Sequence, residues 1–474
     1  MSARPFSLPS AEHGLSLLVL LVALAFAPLA AAAPRRAAYV LIAGVAVVVV
    51  LRSLIAGLAL FVVLTFPDQL PGALGVGSTL AKPLGVVILI SWLLTIVGDR
   101  ERLVPFLPRE APVLTYTLLA LVVWSLASLI WASDRSLTLH SVSRLVQLVA
   151  LIFVTYSAVR RPKDLLILVW AFLLGAAVTS VYALANGTLR GGRLTGGIFN
   201  PNTLAAEIVV AIVMATFLLI ATRRGFLRLL LLAFVSVFAV AFVQTQSRSG
   251  ILALAAAFAF ALVVGGPLRG RLTATVLIAA SIGLAYYVYA APLQLRERVT
   301  SIVTETSQAS PLREDTWHIA LQMTRAHPVH GVGLGNFPAL ESQYFTSNLN
   351  IVQVGSLRRF QLVVHNTYLE ILAELGIVGL TLFAAVLAMT IGRVVAMLAQ
   401  PAREGGTPLL ARAIAAATVG VMMSQVFNSG EYSKQLWVLL GMAVAAVALS
   451  SKPRLEDAPA RGRGTTRFAH VPAI

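Results

Sequence analysis

Apolar residues fill this chain in runs of about twenty, each long enough to cross a bilayer as a helix, and short polar breaks such as Thr222-Arg223-Arg224-Gly225 separate them. Working back from the C terminus, the runs predict spans near 434–450, 409–427, 367–392, 271–291, 249–266, 226–244, 201–221, 164–186, 141–159, 112–131 and 81–97. Residues 13–66 are ambiguous, because Pro34-Arg35-Arg36 and Arg52 interrupt them. The length of run 14–33 suits a signal peptide, but a second apolar run follows at once, which reads better as the first spans. The pattern predicts an all-α polytopic transmembrane protein of about 12–14 helices, the number even if both ends are cytoplasmic.

Composition narrows this reading. Hydrophobic residues make up 58% of the 474 and charged ones only 12%, too apolar for a soluble core. The net charge of +17 could suggest nucleic acid. Its lysines and arginines, however, are spread over short inter-helix turns rather than clustered with aromatics, so positive-inside topology explains them. That rule puts the turns around Arg160, Arg223, Arg269 and Arg393–Arg412 in the cytoplasm, with the basic tail SKPRLEDAPARGRGTTR, which is expected to be disordered. Zero cysteines exclude disulfides, thiolate metal sites and cysteine nucleophiles.

One connection is long. Residues 292–366 lie on the outer side and are expected to fold, which divides the chain into helices with short loops (1–291), a large loop (292–366), three C-terminal spans (367–450) and the tail (451–474). Within the loop, SPLREDTWHIALQMTRAHP predicts a helix with Ser310 as N-cap, Pro311 at its first position, Glu314 and Asp315 in the first turn and Arg325 near its end. Trp317, Ala320, Leu321 and Met323 are expected to form its apolar face, lying against membrane or bundle. GVGLGNF at 331–337 reads as a tight glycine turn, without the strand a dinucleotide fingerprint needs. Four of the seven histidines (His318, His327, His330 and His365) fall here, but no H-E-x-x-H or similar spacing occurs and no metal site is expected.

Polar groups at the edge of the hydrocarbon cost roughly 2.5–3.5 kcal/mol on insertion scales, so each needs a partner or a purpose. The outer set is Lys82, Arg144, Arg193, Glu207, Arg248, His365, Glu370 and Glu374. Lys82 opens a span, where snorkelling alone accounts for a lysine. Arg193 precedes Asn200-Pro201, the start of a helix whose N terminus attracts phosphate. Glu207, two turns into that helix, suits pairing with an arginine. Arg248 sits in TQSRSGIL, a turn that needs Ser and Gly but not arginine, and a guanidinium forks onto two phosphate oxygens. His365 precedes Asn366, the expected N-cap of the next span; the positive helix end disfavours imidazolium and leaves a ring able to accept a proton near pH 7. An interfacial histidine satisfied by water accounts for it equally well. Asn366, Glu370 and Glu374 recur every four residues and so share a face. A basic cluster with a neutral histidine suits a substrate with a lipid tail and a phosphate or pyrophosphate head, and the absence of D-x-D disfavours metal-dependent use of a nucleotide sugar.

The stretches RLTGGIFNPN (193–202), QSRSG (246–250), WHIALQM…HPVHGVGLGNF (317–337) and HNTYLEILAELGIVGL (365–380) together resemble the O-antigen ligase and polymerase superfamily of bacterial inner membranes. The motifs cover about residues 190–392, and the flanking spans agree only in character. The resemblance implies transfer of O-antigen from undecaprenyl diphosphate to lipid A-core oligosaccharide at the periplasmic face of the inner membrane, without metal, ATP or other cofactor. It carries the family's essential arginine onto Arg248, its essential histidine onto His365, an early lysine onto Lys82 and a basic loop residue onto Arg313. Arg193, Asn366 and Glu370 complete the expected substrate-binding set. Under this reading His365 takes the acceptor's proton while Arg248 and Lys82 meet the charge on the departing pyrophosphate, with inversion at the anomeric carbon, and Glu370 or Glu374 orients neighbouring arginines. The alternatives are an O-antigen polymerase with the same donor, a protein-glycosylating ligase, or, from another class, a transporter of a lipid-linked sugar or small anion. No internal repeat of the kind transporters show is evident.

Overall fold

The computed structural model describes residues 44, 45, 47–66, 76–99, 104–187, 189, 190, 192–195, 200–293, 295–297, 300, 311–344, 362–400 and 406–451. The main elements are α1 (Leu54–Thr65), α2 (Val76–Gly98), α3 (Pro112–Ala127), α4 (Arg135–Ala158), α5 (Pro162–Asn186), α6 (Pro201–Ala221), α7 (Gly225–Thr245), α8 (Arg248–Val264), α9 (Arg269–Tyr289), α10 (Pro311–Ala326), α11 (Thr367–Ala399), α12 (Gly406–Ser424) and α13 (Lys434–Ser451). A minimal antiparallel pair, β1 (Leu189–Arg190) and β2 (Arg193–Leu194), lies between α5 and α6. Among the described residues ten helices are long and apolar enough to cross a membrane, and Leu54–Thr65 and Arg248–Val264 are shorter apolar helices beside them. This is an all-α, multi-pass membrane protein. Ser310, residues 13–43 and the tail from 452 lie outside the described residues.

Which helices are central follows from which are buried. In α6 and α12 about three quarters of the apolar window is covered by protein, against 6% for the segment containing α9, whose leucines and isoleucines face outward. An apolar helix uncovered on nearly all sides is stable only in lipid, where its backbone bonds are satisfied internally. At the centre the contacts use small residues: a Cβ on Gly441 would meet Thr155 Cβ at 2.7 Å, and one on Gly420 would meet Ala257 Cβ at 3.1 Å.

Caps set several boundaries. Asn200, Ser247 and Asn366 cap α6, α8 and α11. The α4 helix starts at Arg135, six residues before the expected 141, because the Asp134 carboxylate accepts from Ser136 N at 2.9 Å and Leu137 N at 3.0 Å. The face of α10 also differs from expectation: Thr316, Ile319, Ala320 and Met323 are buried while Leu321 is exposed. The buried set packs with Val332, Phe337, Leu362 and Val364, so α10 docks on protein and not on lipid through Leu321.

The α11 helix breaks at Gly376 (φ 66°, ψ −168°). A break leaves backbone groups without helical partners. Here the glycine turn supplies them: Val332 N and Gly333 N donate to Ala373 O and Glu374 O at 3.0 and 2.8 Å, and Ile377 N donates to Pro328 O at 2.9 Å. Trp124 Nε1 donates to Leu375 O at 2.9 Å. The Glu374 carboxylate accepts from Gly335 N and Phe337 N at 2.7 and 3.1 Å. Gly331, Gly333 and Gly335 all have positive φ, and a Cβ on Gly331 would overlap the Glu374 carbonyl. The two motifs around residues 331–337 and 365–380 are therefore one interlocked structural unit.

Candidate functional site

Three elements bring Arg248, Arg313 and His365 together. Arg248 is the first residue of α8, just after Ser247, whose hydroxyl accepts from Gly250 N at 3.1 Å. Arg313 projects from the first turn of α10. Burial lowers its pKa, and the Arg248 charge lowers it further. Burial, followed by the Arg313 charge, lowers the His365 imidazole to about 4. The ring is therefore neutral near pH 7, but from desolvation and a neighbouring cation rather than from the helix end alone. Arg313 Nε is buried without a hydrogen-bond partner.

The backbone at His365 is left-handed, with φ 56°; Gln246, two residues before Arg248, is the other non-glycine residue with positive φ among those described. Such conformations persist where the surroundings over-determine them. Val364 O accepts from Trp317 Nε1 at 3.0 Å and from Thr316 Oγ1 at 3.3 Å, and Asn366 Oδ1 caps Tyr368 N and Leu369 N at 3.1 Å each. His365 N donates to Ser429 Oγ at 3.0 Å, and that hydroxyl donates to Glu370 Oε2. The loop is pinned on both sides of the imidazole.

Glu370 lines a cavity of about 660 Å³ whose walls come from α4, α6, α11, α12 and the 424–435 connection. Glu207, Glu374, Glu431, Gln425 and Asn428 line it too. Burial raises the pKa of Glu431, against the lowering effect of its own backbone N–H and of Arg144. Beside this cavity lies a second, mostly apolar one of about 620 Å³, with Phe61, Val86, Ile88, Leu151 and Val154 in its walls and Lys82 on its rim. His140, Arg144, Tyr432 and Lys434 border both, and the Arg144 guanidinium sits 4.0 Å over the Tyr432 ring.

The other expected site residues fall elsewhere. Arg193 braces a corner: its Nε donates to Thr245 O at 3.0 Å and Nη2 to Asn202 Oδ1 at 2.8 Å, an atom that also accepts from Ser247 Oγ at 2.8 Å. Glu207 accepts at 3.3 Å from Gln435, where an arginine was expected. Glu374 is held by backbone N–H groups and Glu370 by Ser429, so the bonds that position these carboxylates are not to arginines. Gln425, Asn428, Ser429 and Glu431 carried no expectation; their signal is the polar run QVFNSGEYSKQ at 425–435, longer than a turn between two spans requires. Among the described residues no three or more His, Cys, Asp and Glu side chains are grouped to hold a metal ion.

These features define a class: a multi-pass α-helical membrane protein with a polar cavity, and a half-buried cluster of two arginines and a neutral histidine whose loop is bonded to Ser429 of the cavity wall. Residues 233–384, about a third of the chain, match the family model described as O-antigen ligase. The matched stretch includes Arg248, Arg313 and His365, while Lys82, Arg193, Glu207 and the 425–435 connection lie outside it. No curated protein matches the chain. A chain from a structure described as "Structural coordination of polymerization and crosslinking by a peptidoglycan synthase complex" is similar at 16% identity and TM-score 0.40, covering 71% of this chain and 96% of that one.

Proposed function

We propose that this protein is an O-antigen ligase that moves the glycan from undecaprenyl diphosphate to lipid A-core oligosaccharide at the periplasmic face of the inner membrane. The observation that carries the reading is the meeting of two arginines and a half-buried neutral histidine within the stretch that matches the O-antigen ligase family. An acceptor hydroxyl attacks the donor's anomeric carbon and gives its proton to His365, and the anomeric C–O bond breaks with its electron pair passing to the pyrophosphate oxygen. Arg248 and Arg313 meet the charge that grows on that oxygen. The arriving pyrophosphate also offsets the Arg313 charge that depresses His365, so donor binding strengthens the base it will use. A single displacement inverts the anomeric centre. Transfer proceeds without metal or ATP, and because pyrophosphate is already a good leaving group no paired-carboxylate acid is needed. Asn366 and Glu370 act by holding the His365 loop against the cavity, and Lys82 and Arg144 receive a lipid head at the rim of the apolar groove.

The test is transfer in vitro by wild type, Arg248→Ala and His365→Ala, each with undecaprenyl-diphosphate glycan and lipid A-core in EDTA without ATP. Product from wild type alone supports the reading. Extension of the lipid-linked glycan in place of transfer to lipid A-core makes the protein a polymerase, and solute flux in proteoliposomes that survives His365→Ala makes it a transporter.

A further inference from the structure

His365 carries its imidazole on a left-handed backbone, φ 56°, which a residue other than glycine keeps only where its surroundings enforce it. Much of that enforcement comes from a part of the chain outside the stretch that matches the family model: the connection between α12 and α13. Thr367 N donates to Gln425 O at 3.0 Å and to Asn428 O at 3.1 Å. Thr367 Oγ1 donates to Asn428 O at 2.8 Å and accepts from Gly430 N at 2.8 Å. Tyr368 Oη donates to Met422 O at 2.8 Å, in the last turn of α12. These bonds stitch the first turn of α11 to the connection.

The connection also reaches His365 itself. His365 N donates to Ser429 Oγ at 3.0 Å, and the Ser429 hydroxyl gives its own hydrogen to Glu370 Oε2. A serine hydroxyl has one hydrogen to give, so an acceptor at Glu370 leaves the lone pairs of Oγ to the His365 N–H. Glu370 lies in the first turn of the helix that His365 precedes, and the hydroxyl therefore closes a ring from the His365 amide back to α11. The bonds to Val364 O and Asn366 Oδ1 act on the neighbours of His365, whereas Ser429 holds its own amide. Without that hydroxyl the amide loses its acceptor and φ is free to return to negative values, which swings the Cα–Cβ bond and the ring with it.

We infer that Ser429 is a positioning residue, whose hydroxyl, oriented by Glu370, holds the His365 backbone in the left-handed conformation that presents the imidazole to the site. The inference rests on the reading of His365 as the base, and it extends the machinery of transfer into the connection between the last two helices.

The experiment compares wild type, Ser429→Ala and Ser429→Thr as full chains in nanodiscs, with two readouts. The first needs no turnover: diethyl pyrocarbonate modifies neutral imidazoles, and its rate at His365 is read by mass spectrometry against the exposed His318. The rate is expected to rise severalfold in Ser429→Ala and to stay near wild type in Ser429→Thr, which keeps the hydroxyl. The second readout is transfer. In Ser429→Ala, kcat is expected to fall about tenfold or more with both KM values held, and Ser429→Thr to restore it. The acid limb of kcat/KM moves to higher pH in Ser429→Ala, because the ring leaves its buried place and the Arg313 charge. In a His365→Ala background, Ser429→Ala changes the residual rate by less than about twofold, since its effect passes through the imidazole. An unchanged modification rate at His365 in Ser429→Ala overturns the inference, and so does a loss of kcat that is equally large in the His365→Ala background. If wild type transfers nothing, the ligase reading fails, and the modification rates alone decide the role of Ser429.

Discussion

Two regions on either side of one helical turn of α11 handle buried polarity in opposite ways. At the Gly376 break the carbonyls of Ala373, Glu374 and Leu375 and the Glu374 carboxylate all receive hydrogen bonds from the glycine turn or from Trp124. Next to Glu370, buried oxygens of Gln425, Asn428, Glu207 and Glu431 have none. The first arrangement holds the fold; the second leaves buried acceptors without donors, at a cost in stability. The two glutamates four residues apart on α11 are both bonded, Glu374 by backbone N–H groups and Glu370 by the Ser429 hydroxyl, while the unpaired oxygens belong to other residues lining the same chamber.

The largest effect that tests this contrast is on folding. Gly331→Val places a branched side chain at φ 68° where a Cβ already overlaps the Glu374 carbonyl, and it forces the turn off the α11 break. A loss of about 4 kcal/mol or more is expected, enough to abolish accumulation of folded protein. Glu374→Gln, which can accept from only one of Gly335 N and Phe337 N, costs about 1–3 kcal/mol. Thermal unfolding in detergent reads both. If Gly331→Val folds with an unchanged Tm, the interlock is not what holds α11.

On the other side of the contrast, Arg248→Ala and His365→Ala are expected to lower transfer by roughly 10²–10³-fold while leaving Tm nearly unchanged. A matching fall in Tm would move these residues to the structural side.

The helices were legible from the sequence because twenty-residue apolar runs admit almost no other solution in a bilayer. The caps Asn200 and Asn366 were legible too, being local. The break at Gly376 was not: ELGIVGL contains two glycines, and only the distant turn at 331–337 shows which one carries positive φ. The approach of Arg313 to Arg248 and His365 joins α10, α8 and the start of α11, a tertiary fact that spacing does not encode. Arg193 and Arg248 look alike as arginines near Ser, Gly and Asn, yet the Arg193 guanidinium is bonded to Thr245 and Asn202 within the corner it braces.

The pH profile gives a sharper test of the cluster. With His365 at about 4, the base is neutral above that value, so kcat/KM is expected to be flat from about pH 5 upward and to fall as pH drops through about 4. Removing a repelling cation raises an imidazole pKa, so Arg313→Gln moves this acid limb to higher pH, toward the ordinary histidine value. An acid limb that stays in place in Arg313→Gln would separate Arg313 from the base.

Arg193→Ala is expected to act mainly on stability. It leaves Thr245 O and Asn202 Oδ1 each short of a donor at the corner that presents Arg248, at a cost of about 1–3 kcal/mol, with donor KM changed less than kcat. A tenfold rise in donor KM at constant Tm would instead place the guanidinium on substrate.

Lys82 should give the smallest effect. It is exposed on the apolar groove, and its long stem lets the ammonium reach water from the second turn of α2. An exposed lysine meeting a lipid phosphate in high dielectric contributes about 0.2–1 kcal/mol, up to roughly a fivefold change in affinity. Lys82→Gln, which keeps most of the stem and removes the charge, is therefore expected to raise donor KM by up to about fivefold with kcat unchanged, an effect that shrinks as salt is added. A loss of kcat as large as that of Arg248→Ala, and insensitive to salt, would mean that Lys82 meets the departing pyrophosphate itself, so that the groove and the arginine cluster close on one phosphate group during the reaction.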